Sequence, residues 1–163
     1  RGADVAIGIG AQFPLGGKMV RVEVGQGRRI QLGTETVRVP GREDRVPARL
    51  AAHLKELARD RLSGACDDYA AILGKPYTKL TLRDTRSRWG SCTADGGLMF
   101  SWRLILTPPE VLDYVAAHEV AHLAQMNHSP AFWAEVERIY GPYKDARAWL
   151  RTHGSDLHRY RFA

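Results

Sequence analysis

The segment AAHEVAHLAQMNHSPAFW, residues 116–133, carries three histidines and a glutamate, side chains suited to metal-assisted hydrolysis. His118 and His122 are four positions apart, so on a helix both imidazoles lie on one face, one turn apart. Each can bind a zinc ion at about 2.0–2.1 Å. Glu119 lies about 100° round the helix from His118, beside such an ion rather than bonded to it. There a carboxylate can accept a proton from water and pass it to a leaving group, so the motif predicts two metal ligands and a general base.

Zinc needs a third protein ligand, and His128 is the nearest candidate. On a continuous helix it would lie about 15 Å along the axis from His118, so the chain must turn back before it. Asn127 tolerates the left-handed conformation that ends helices, and Ser129-Pro130 predicts a new helix at once. Spacing and ligand type favour His128 as the third ligand. The alternatives are Glu135, Glu137 and His153.

Helical patterns surround the motif and predict how it is positioned. Prolines at 108 and 109 predict the start of the motif helix, which we expect to run through Met126. Two shorter helices are expected after Ser129, the second ending at Gly154. Residues 44–73 have the apolar spacing of one long helix. The basic tail after Gly154 is expected to be mobile.

Two stretches predict strands. Residues 13–40 alternate in short runs between turn signals, which indicates a small antiparallel meander of three strands. Residues 78–106 predict further strands, the last of them, 98–106, apolar enough to be buried on both faces. The segment SRWGSC at 87–92 is interpreted as an edge strand that lines the cleft and pairs with an extended peptide. Residues 1–10 are weakly patterned and expected to fray.

The composition limits the function classes. A length of 163 residues predicts one domain, 1–163, of α+β class, with residues 108–153 as its metal-binding helical part. No apolar run approaches the roughly 18 residues of a membrane span, so no membrane partner is expected. The net charge of +6 is spread along the chain, which predicts a solvated surface with at most weak contact to nucleic acid or nucleotides. Cys66 and Cys92 form no C-x-x-C pair, and reduced thiols in a cytoplasmic protein are the preferred interpretation.

Three further residues are candidate substrate contacts. Arg88 is suited to pair with a carboxylate or a phosphate. Trp89 is a second candidate, although packing on the motif helix is the preferred interpretation of this residue, and Gly90 would permit a close backbone approach. Tyr143 is a candidate donor to the oxyanion of the transition state, for which Arg88 and His153 are the alternatives.

In combination these motifs resemble the YgjP-like metallopeptidase domain of bacteria and archaea. The resemblance is carried by SRWGSC at 87–92, LILTPPEVLDYVAAHEVAHL at 104–123 and NHSPAFW at 127–133. It implies a zincin-like fold, one zinc ion per chain on His118, His122 and His128, and Glu119 as general base. More distantly the chain is similar to the SprT and Wss types, which act on proteins crosslinked to DNA.

The function predicted on this basis is zinc-dependent hydrolysis of peptide bonds in a peptide or protein substrate. Zinc would polarise the scissile carbonyl, and Glu119 would carry the proton from water to the amine. Two alternatives stay open. The resemblance also admits a metal-dependent nucleoside triphosphate pyrophosphatase, and the basic charge admits a non-catalytic zinc-containing module that binds nucleic acid.

Overall fold

A computed structural model describes residues 2–163 and confirms the predicted α+β class. The helices are α1 (Val46–Leu73), α2 (Pro109–Ala121), α3 (Pro130–Tyr140) and α4 (Lys144–His153). The strands are β1 (Val5–Ala6), β2 (Gln12–Leu15), β3 (Lys18–Val24), β4 (Gln31–Leu32), β5 (Thr36–Val39), β6 (Lys79–Arg83), β7 (Gly90–Cys92), β8 (Gly97–Ser101) and β9 (Tyr160–Arg161). Short 3-10 helices cover Glu43–Arg45, Trp102–Leu106 and Gly154–Arg159. The predictions made for position 1 fall outside the described residues.

Helix α1 is the long N-terminal helix that the apolar spacing predicts. Its buried residues recur every fourth position and form one stripe: Val46, Leu50, Leu54, Ala58, Leu62, Cys66 and Ala70. The stripe packs against α2 and the 3-10 helix before it, which gives α2 a rigid support. The helix ends at Gly74, whose φ of 84° is the left-handed conformation that glycine adopts without strain. None of the helices in residues 2–163 has both the length and the apolar character that a bilayer crossing requires.

The N-terminal sheet has the strand order β2-β3-β5-β4. The pair β4–β5 is antiparallel, as expected for residues 13–40. Strand β2, which pairs antiparallel with β3, is a fourth strand beyond the three that the sequence predicts. Strands β3 and β5 are neighbours and run parallel, which corrects the expected meander, in which β4 would lie between them. Burial explains the order: Val37 and Val39 of β5 are buried, whereas both residues of β4 are exposed. The more apolar strand therefore takes the central place, and β4 lies at the edge.

The second sheet has the order β6-β8-β7 and lies next to α2. Every residue of β8 is buried, as predicted, and β7 forms the outer strand of the antiparallel pair β7–β8. The strand expected over residues 98–106 ends at Ser101, and Trp102–Leu106 form a 3-10 helix instead. The Ser101 hydroxyl accepts a hydrogen bond from the backbone N–H of Arg103 at 3.3 Å, which starts this helix. Apolar runs of this length do not distinguish a buried strand from a buried helix, which explains the error.

The two ends of the chain are ordered against each other, so the expectation of a frayed start and a mobile tail is wrong within residues 2–163. Strand β1 pairs in parallel with β9. Phe162 is buried, and its ring contacts those of Phe13 and Trp102 at centroid distances of 5.6 and 5.4 Å. The Arg103 guanidinium, also buried, donates to the carbonyl oxygens of Leu157 and Tyr160 at 2.9 Å each. Parallel pairing between distant segments leaves no local pattern, so the sequence did not indicate it.

Candidate active site

Three histidines from the end of α2 and the turn after it converge on one point. His118 lies in the last turn of α2, His122 caps its C-terminus, and His128 stands two residues before α3. One ring nitrogen of each histidine lies within 4.8 Å of one ring nitrogen of each of the other two. In residues 2–163, no other group of three or more His, Cys, Asp or Glu side chains meets this criterion. Small side-chain rotations would let a single ion contact all three rings.

The turn that brings His128 back differs from the expected one. Helix α2 ends at Ala121 instead of Met126, and His122 and the next residues wind more tightly. Leu123 N–H donates to the Val120 carbonyl at 2.9 Å, an i to i−3 bond of the 3-10 type. Within residues 2–163 no residue other than glycine has a positive φ, so the left-handed conformation expected at Asn127 is wrong. The reversal is spread over several residues, and none of them needs that conformation.

Two of the histidines are oriented through their Nδ1 atoms. Nδ1 of His122 lies 3.0 Å from the carbonyl oxygen of Gln125, and because a carbonyl only accepts, this nitrogen carries the hydrogen. Nδ1 of His118 lies 3.1 Å from Oε2 of Glu119. In both rings Nε2 is then the atom available to a metal. This pattern, with the second nitrogen bonded to a carbonyl or carboxylate, is typical of metal-binding histidines.

The rings are held in place by the helix that follows. The Ser129 hydroxyl accepts a hydrogen bond from the Phe132 backbone N–H at 3.3 Å, which fixes the start of α3 as predicted. Phe132 is fully buried and stacks on the His122 ring with the centroids 4.3 Å apart. Trp133 packs on the other side, 5.6 Å from the His118 ring and 6.1 Å from the His128 ring. Two aromatic anchors therefore fix the three imidazoles.

The carboxyl group of Glu119 is buried between α2 and β7. Only 5% of the residue is exposed, yet it reaches the cleft that the histidines line. A Cβ atom on Gly90 would lie 2.9 Å from Glu119 Cγ and 3.1 Å from the carbonyl oxygen of Met99. Gly90 thus permits the close backbone approach expected from the sequence, and it allows strand β7 to pass directly over the glutamate.

The environment favours the neutral form of the His128 imidazole and of the two thiols. Burial, and the neighbouring rings of His118 and His122, hold the pKa of His128 below its ordinary value. Burial, with the negative charge of Glu119 next, raises the pKa of Cys92 to about 11. Cys66 and Cys92 are both free thiols and form no disulfide with each other. A histidine that stays neutral is ready to bind a metal without first losing a proton.

A cleft runs past Glu119 and His118 and has two parts. One part, about 240 Å³, lies along β7 and is lined by Cys92, Met126 and the three histidines. The other, also about 240 Å³, lies between β7, α2 and α4. Gly90, His118 and Glu119 border both parts. An extended substrate lying along β7 would therefore pass over the glutamate with room on either side of it.

The alternative third ligands lie elsewhere. Oε2 of Glu135 accepts hydrogen bonds from Arg138 at 2.7 and 3.0 Å. Glu137 is exposed and lines a separate cavity with Tyr143. His153 is exposed, and its ring packs on that of Trp149 at 5.1 Å.

Two of the three candidate substrate contacts line the cleft, and the third does not. Arg88 and Trp89 line the second part of the cleft beside His118 and Glu119. One face of the Trp89 ring stacks on His158 with centroids 5.5 Å apart, so packing on the C-terminal segment occupies much of this side chain. Tyr143 does not line this part of the cleft. Its ring centroid lies 4.9 Å from that of Trp133 and 6.2 Å from that of Tyr114.

Sequence reasoning missed Arg147, which lines the cleft from α4. Its guanidinium lies 4.6 Å from the centre of the Trp133 ring. No motif marks this residue, and only the packing of α4 against α2 brings it to the site.

Comparison with known proteins assigns the family. The chain resembles a solved structure, the metallopeptidase zymogen of Pyrococcus abyssi abylysin, with a TM-score of 0.51 and 21% identity over 61% of this chain and 97% of that one. This likeness confirms the zincin-like fold. No curated protein matches the chain. The model of the YgjP-like metallopeptidase domain matches residues 3–153, and the chain therefore belongs to this family of metallopeptidases.

Proposed function

We propose that the chain is a zinc-dependent peptidase in which His118, His122 and His128 bind one zinc ion and Glu119 is the general base. The observation that carries the proposal is the convergence of the three imidazoles within 4.8 Å, with the buried glutamate beside them. Three imidazole ligands suit zinc and leave a position for water. The Nδ1 contacts of His118 and His122, which leave Nε2 free, support the same assignment.

The second support is the position of β7. It is the outer strand of its sheet, half-buried, and it lines the cleft beside the histidines. An edge strand can bind an extended peptide by backbone hydrogen bonds without regard to its sequence. A peptide bound in this way would pass over Glu119, because Gly90 brings the strand into contact with that residue. The substrate is therefore an extended peptide or an unfolded segment of a protein.

The proposed chemistry assigns one task to each group. Zinc, when bound, supplies a Lewis acid that polarises the carbonyl and makes water easier to ionise. Glu119 accepts a proton from the attacking water and delivers it to the amine as the C–N bond breaks. The His118 Nδ1–H, 3.1 Å from Oε2, orients the carboxylate.

The test combines metal content with activity. We expect about one zinc per chain in the wild type and far less in His128→Ala, measured by elemental analysis of untagged protein. The matched control is His53→Ala, because His53 lies on α1 outside the cluster, and it should keep the metal. Glu119→Gln should keep zinc and lose cleavage of an unfolded protein by about 10²- to 10⁴-fold, the usual contribution of a general base.

Two results of the metal analysis would count against the proposed site. A wild type that takes up no zinc when it is offered would contradict the metal site. Full zinc in His128→Ala would move the third ligand to another residue. The pyrophosphatase and the nucleic-acid-binding module rest on no comparable observation in the described residues. A nucleoside triphosphate included in the same assay tests the first of these directly.

A further inference from the structure

The part of the cleft between β7, α2 and α4 has a mixed lining. Val115 and Leu150 provide apolar walls, and Arg88 and Arg147 lie at its margin. Its volume of about 240 Å³ leaves room for one side chain. Because His118 and Glu119 also line it, any group bound there is next to the bond that the proposed peptidase would cleave.

Arg147 makes a cation–π contact beside the proposed active site. Its guanidinium lies 4.6 Å from the centre of the Trp133 ring, and the same ring is 5.6 Å from that of His118. Stacking on an aromatic face engages the plane of a guanidinium and leaves the N–H groups at its edge able to bind an anion. The cation is therefore positioned close to the proposed metal ligands.

The positive charge at this margin is not neutralised within the protein. Among residues 2–163, neither Arg88 nor Arg147 forms an ion pair, whereas Arg61, Arg103 and Arg138 each pair with a carboxylate. The backbone of Arg88 is fixed, since its carbonyl accepts a hydrogen bond from the Thr85 hydroxyl at 2.7 Å. Glu119 is the acidic residue of the lining, and the two arginines outweigh its charge.

We propose that this cavity is a substrate subsite for a carboxylate next to the scissile bond, with Arg147 as its main contact and Arg88 as its second. The inference rests on the proposed peptidase function. The carboxylate comes either from an acidic side chain or from the C-terminus of the substrate. Guanidinium binds carboxylate through two parallel N–H···O bonds, which gives both strength and orientation.

The test uses fluorogenic peptides with blocked ends that differ only at the residues flanking the cleaved bond. We expect kcat/KM for a Glu peptide to exceed that for the matching Gln peptide by about 10- to 100-fold, the usual range for a charge-assisted hydrogen bond. Arg147→Gln should remove this preference, and Arg147→Glu should shift it toward a Lys peptide. A second pair of neutral peptides, with a free or an amidated C-terminus, shows which source of carboxylate the subsite takes.

Arg151→Gln is the matched control, because Arg151 is exposed on α4 one turn further on and does not line the cavity. It should keep the preference for the Glu peptide. Equal kcat/KM for Glu and Gln peptides, with no effect of a free C-terminus, would overturn the subsite. An equal loss in Arg147→Gln for all peptides would also overturn it, since a group that stabilises the transition state does not sense substrate charge.

A binding measurement separates this proposal from the peptidase function. The Kd of labelled Glu and Gln peptides is measured by fluorescence anisotropy on Glu119→Gln, with and without Arg147→Gln. Charge-selective binding that depends on Arg147, without cleavage by the wild type, would leave the subsite standing and contradict the peptidase. Cleavage without charge selectivity would support the peptidase and contradict the subsite. If the wild type cleaves no peptide and binding shows no charge selectivity, both proposals are contradicted.

Discussion

Gly90 and Glu119 are in direct contact across the cleft: a Cβ atom on Gly90 would lie 2.9 Å from Glu119 Cγ and 3.1 Å from its Oε2. The absence of a side chain at position 90 is thus what allows the Glu119 side chain its present position. A methyl group there would have to displace the carboxylate or the strand, because the Met99 carbonyl blocks it from the other side at 3.1 Å.

We expect Gly90→Ala to lower kcat of the peptidase by about tenfold or more, since a displacement of the order of 1 Å in a catalytic group can cost that much or more. The metal content should be unchanged, because the atoms nearest to the new methyl group belong to Glu119 and Met99 rather than to a histidine. Gly64→Ala is the matched control, since a Cβ there meets nothing within 4 Å and the position is helical. Full activity in Gly90→Ala would show that Glu119 does not need its present position.

Cys92 lies beside the same glutamate, and its reactivity reports on the charge there. Burial and the charge of Glu119 raise its pKa to about 11, so the fraction of thiolate is small at neutral pH. At pH 7.5 we expect alkylation by iodoacetamide to be about two orders of magnitude slower than for a peptide thiol, and to accelerate as the pH rises toward 11. Mass spectrometry of the Cys92 peptide measures the rate.

Two comparisons control this experiment. Glu119→Gln removes one of the negative charges that raise the pKa, so Cys92 should react faster in that variant. Cys66 is fully buried, with a pKa raised to about 12 chiefly by burial, and should react more slowly than Cys92. Alkylation of Cys92 as fast as a free peptide thiol at pH 7.5 would contradict the described environment.

Removing the metal should destabilise the protein. A ligand that binds only the folded state, present at about 1,000 times its Kd, adds about 4 kcal/mol to the free energy of unfolding. A chelator should therefore lower the Tm, and hydrogen exchange should increase first in the turn over 122–128, which carries two of the three proposed ligands. The Tm of His128→Ala should not respond to chelator. If neither a chelator nor added zinc changes the Tm of the wild type, the proposed metal site is contradicted.

Sequence spacing alone predicts which site residues lie close together when they are on the same helix. His118, Glu119 and His122 are brought together by one helical turn, and a pattern of four positions is enough to predict that. His128 was predicted by a weaker argument, that the chain must turn back, and its position in the cluster agrees with this. The conformation of the turn was not predictable, because several combinations of φ and ψ reverse a chain over seven residues.

Other features depend on packing between distant segments. Arg147 reaches the cleft because α4 packs on α2, and nothing in its neighbourhood of the sequence indicates this. The parallel pairs β3–β5 and β1–β9 join segments whose relative direction no local pattern specifies. The apolar run over residues 98–106 predicts a strand along its whole length, although Trp102–Leu106 form a 3-10 helix, because the apolar pattern alone does not distinguish the two.

The buried Arg103 side chain links the C-terminal segment to the core, and its removal should weaken that link. In Arg103→Met the carbonyl oxygens of Leu157 and Tyr160 lose donors at 2.9 Å. Each unsatisfied buried carbonyl costs about 1–3 kcal/mol, so we expect the free energy of unfolding to fall by about 2–6 kcal/mol. The ion pair with Asp84 adds little, because half of the Asp84 side chain is exposed to solvent. Urea unfolding measures the loss.

Arg103→Met should also change proteolysis and substrate binding, because the C-terminal segment packs against a residue that lines the cleft. His158 stacks on Trp89, which lines the cavity beside Glu119, so a loosened segment frees that ring. We expect limited proteolysis of Arg103→Met to cut after residue 153 and KM to rise more than kcat falls. Arg161→Met is the matched control: its pair with Asp4 is about half exposed on both sides and should contribute at most about 1 kcal/mol. Equal stability of the two variants would show that the buried guanidinium does not hold the segment, and the support of Trp89 would then come from β1–β9 pairing alone.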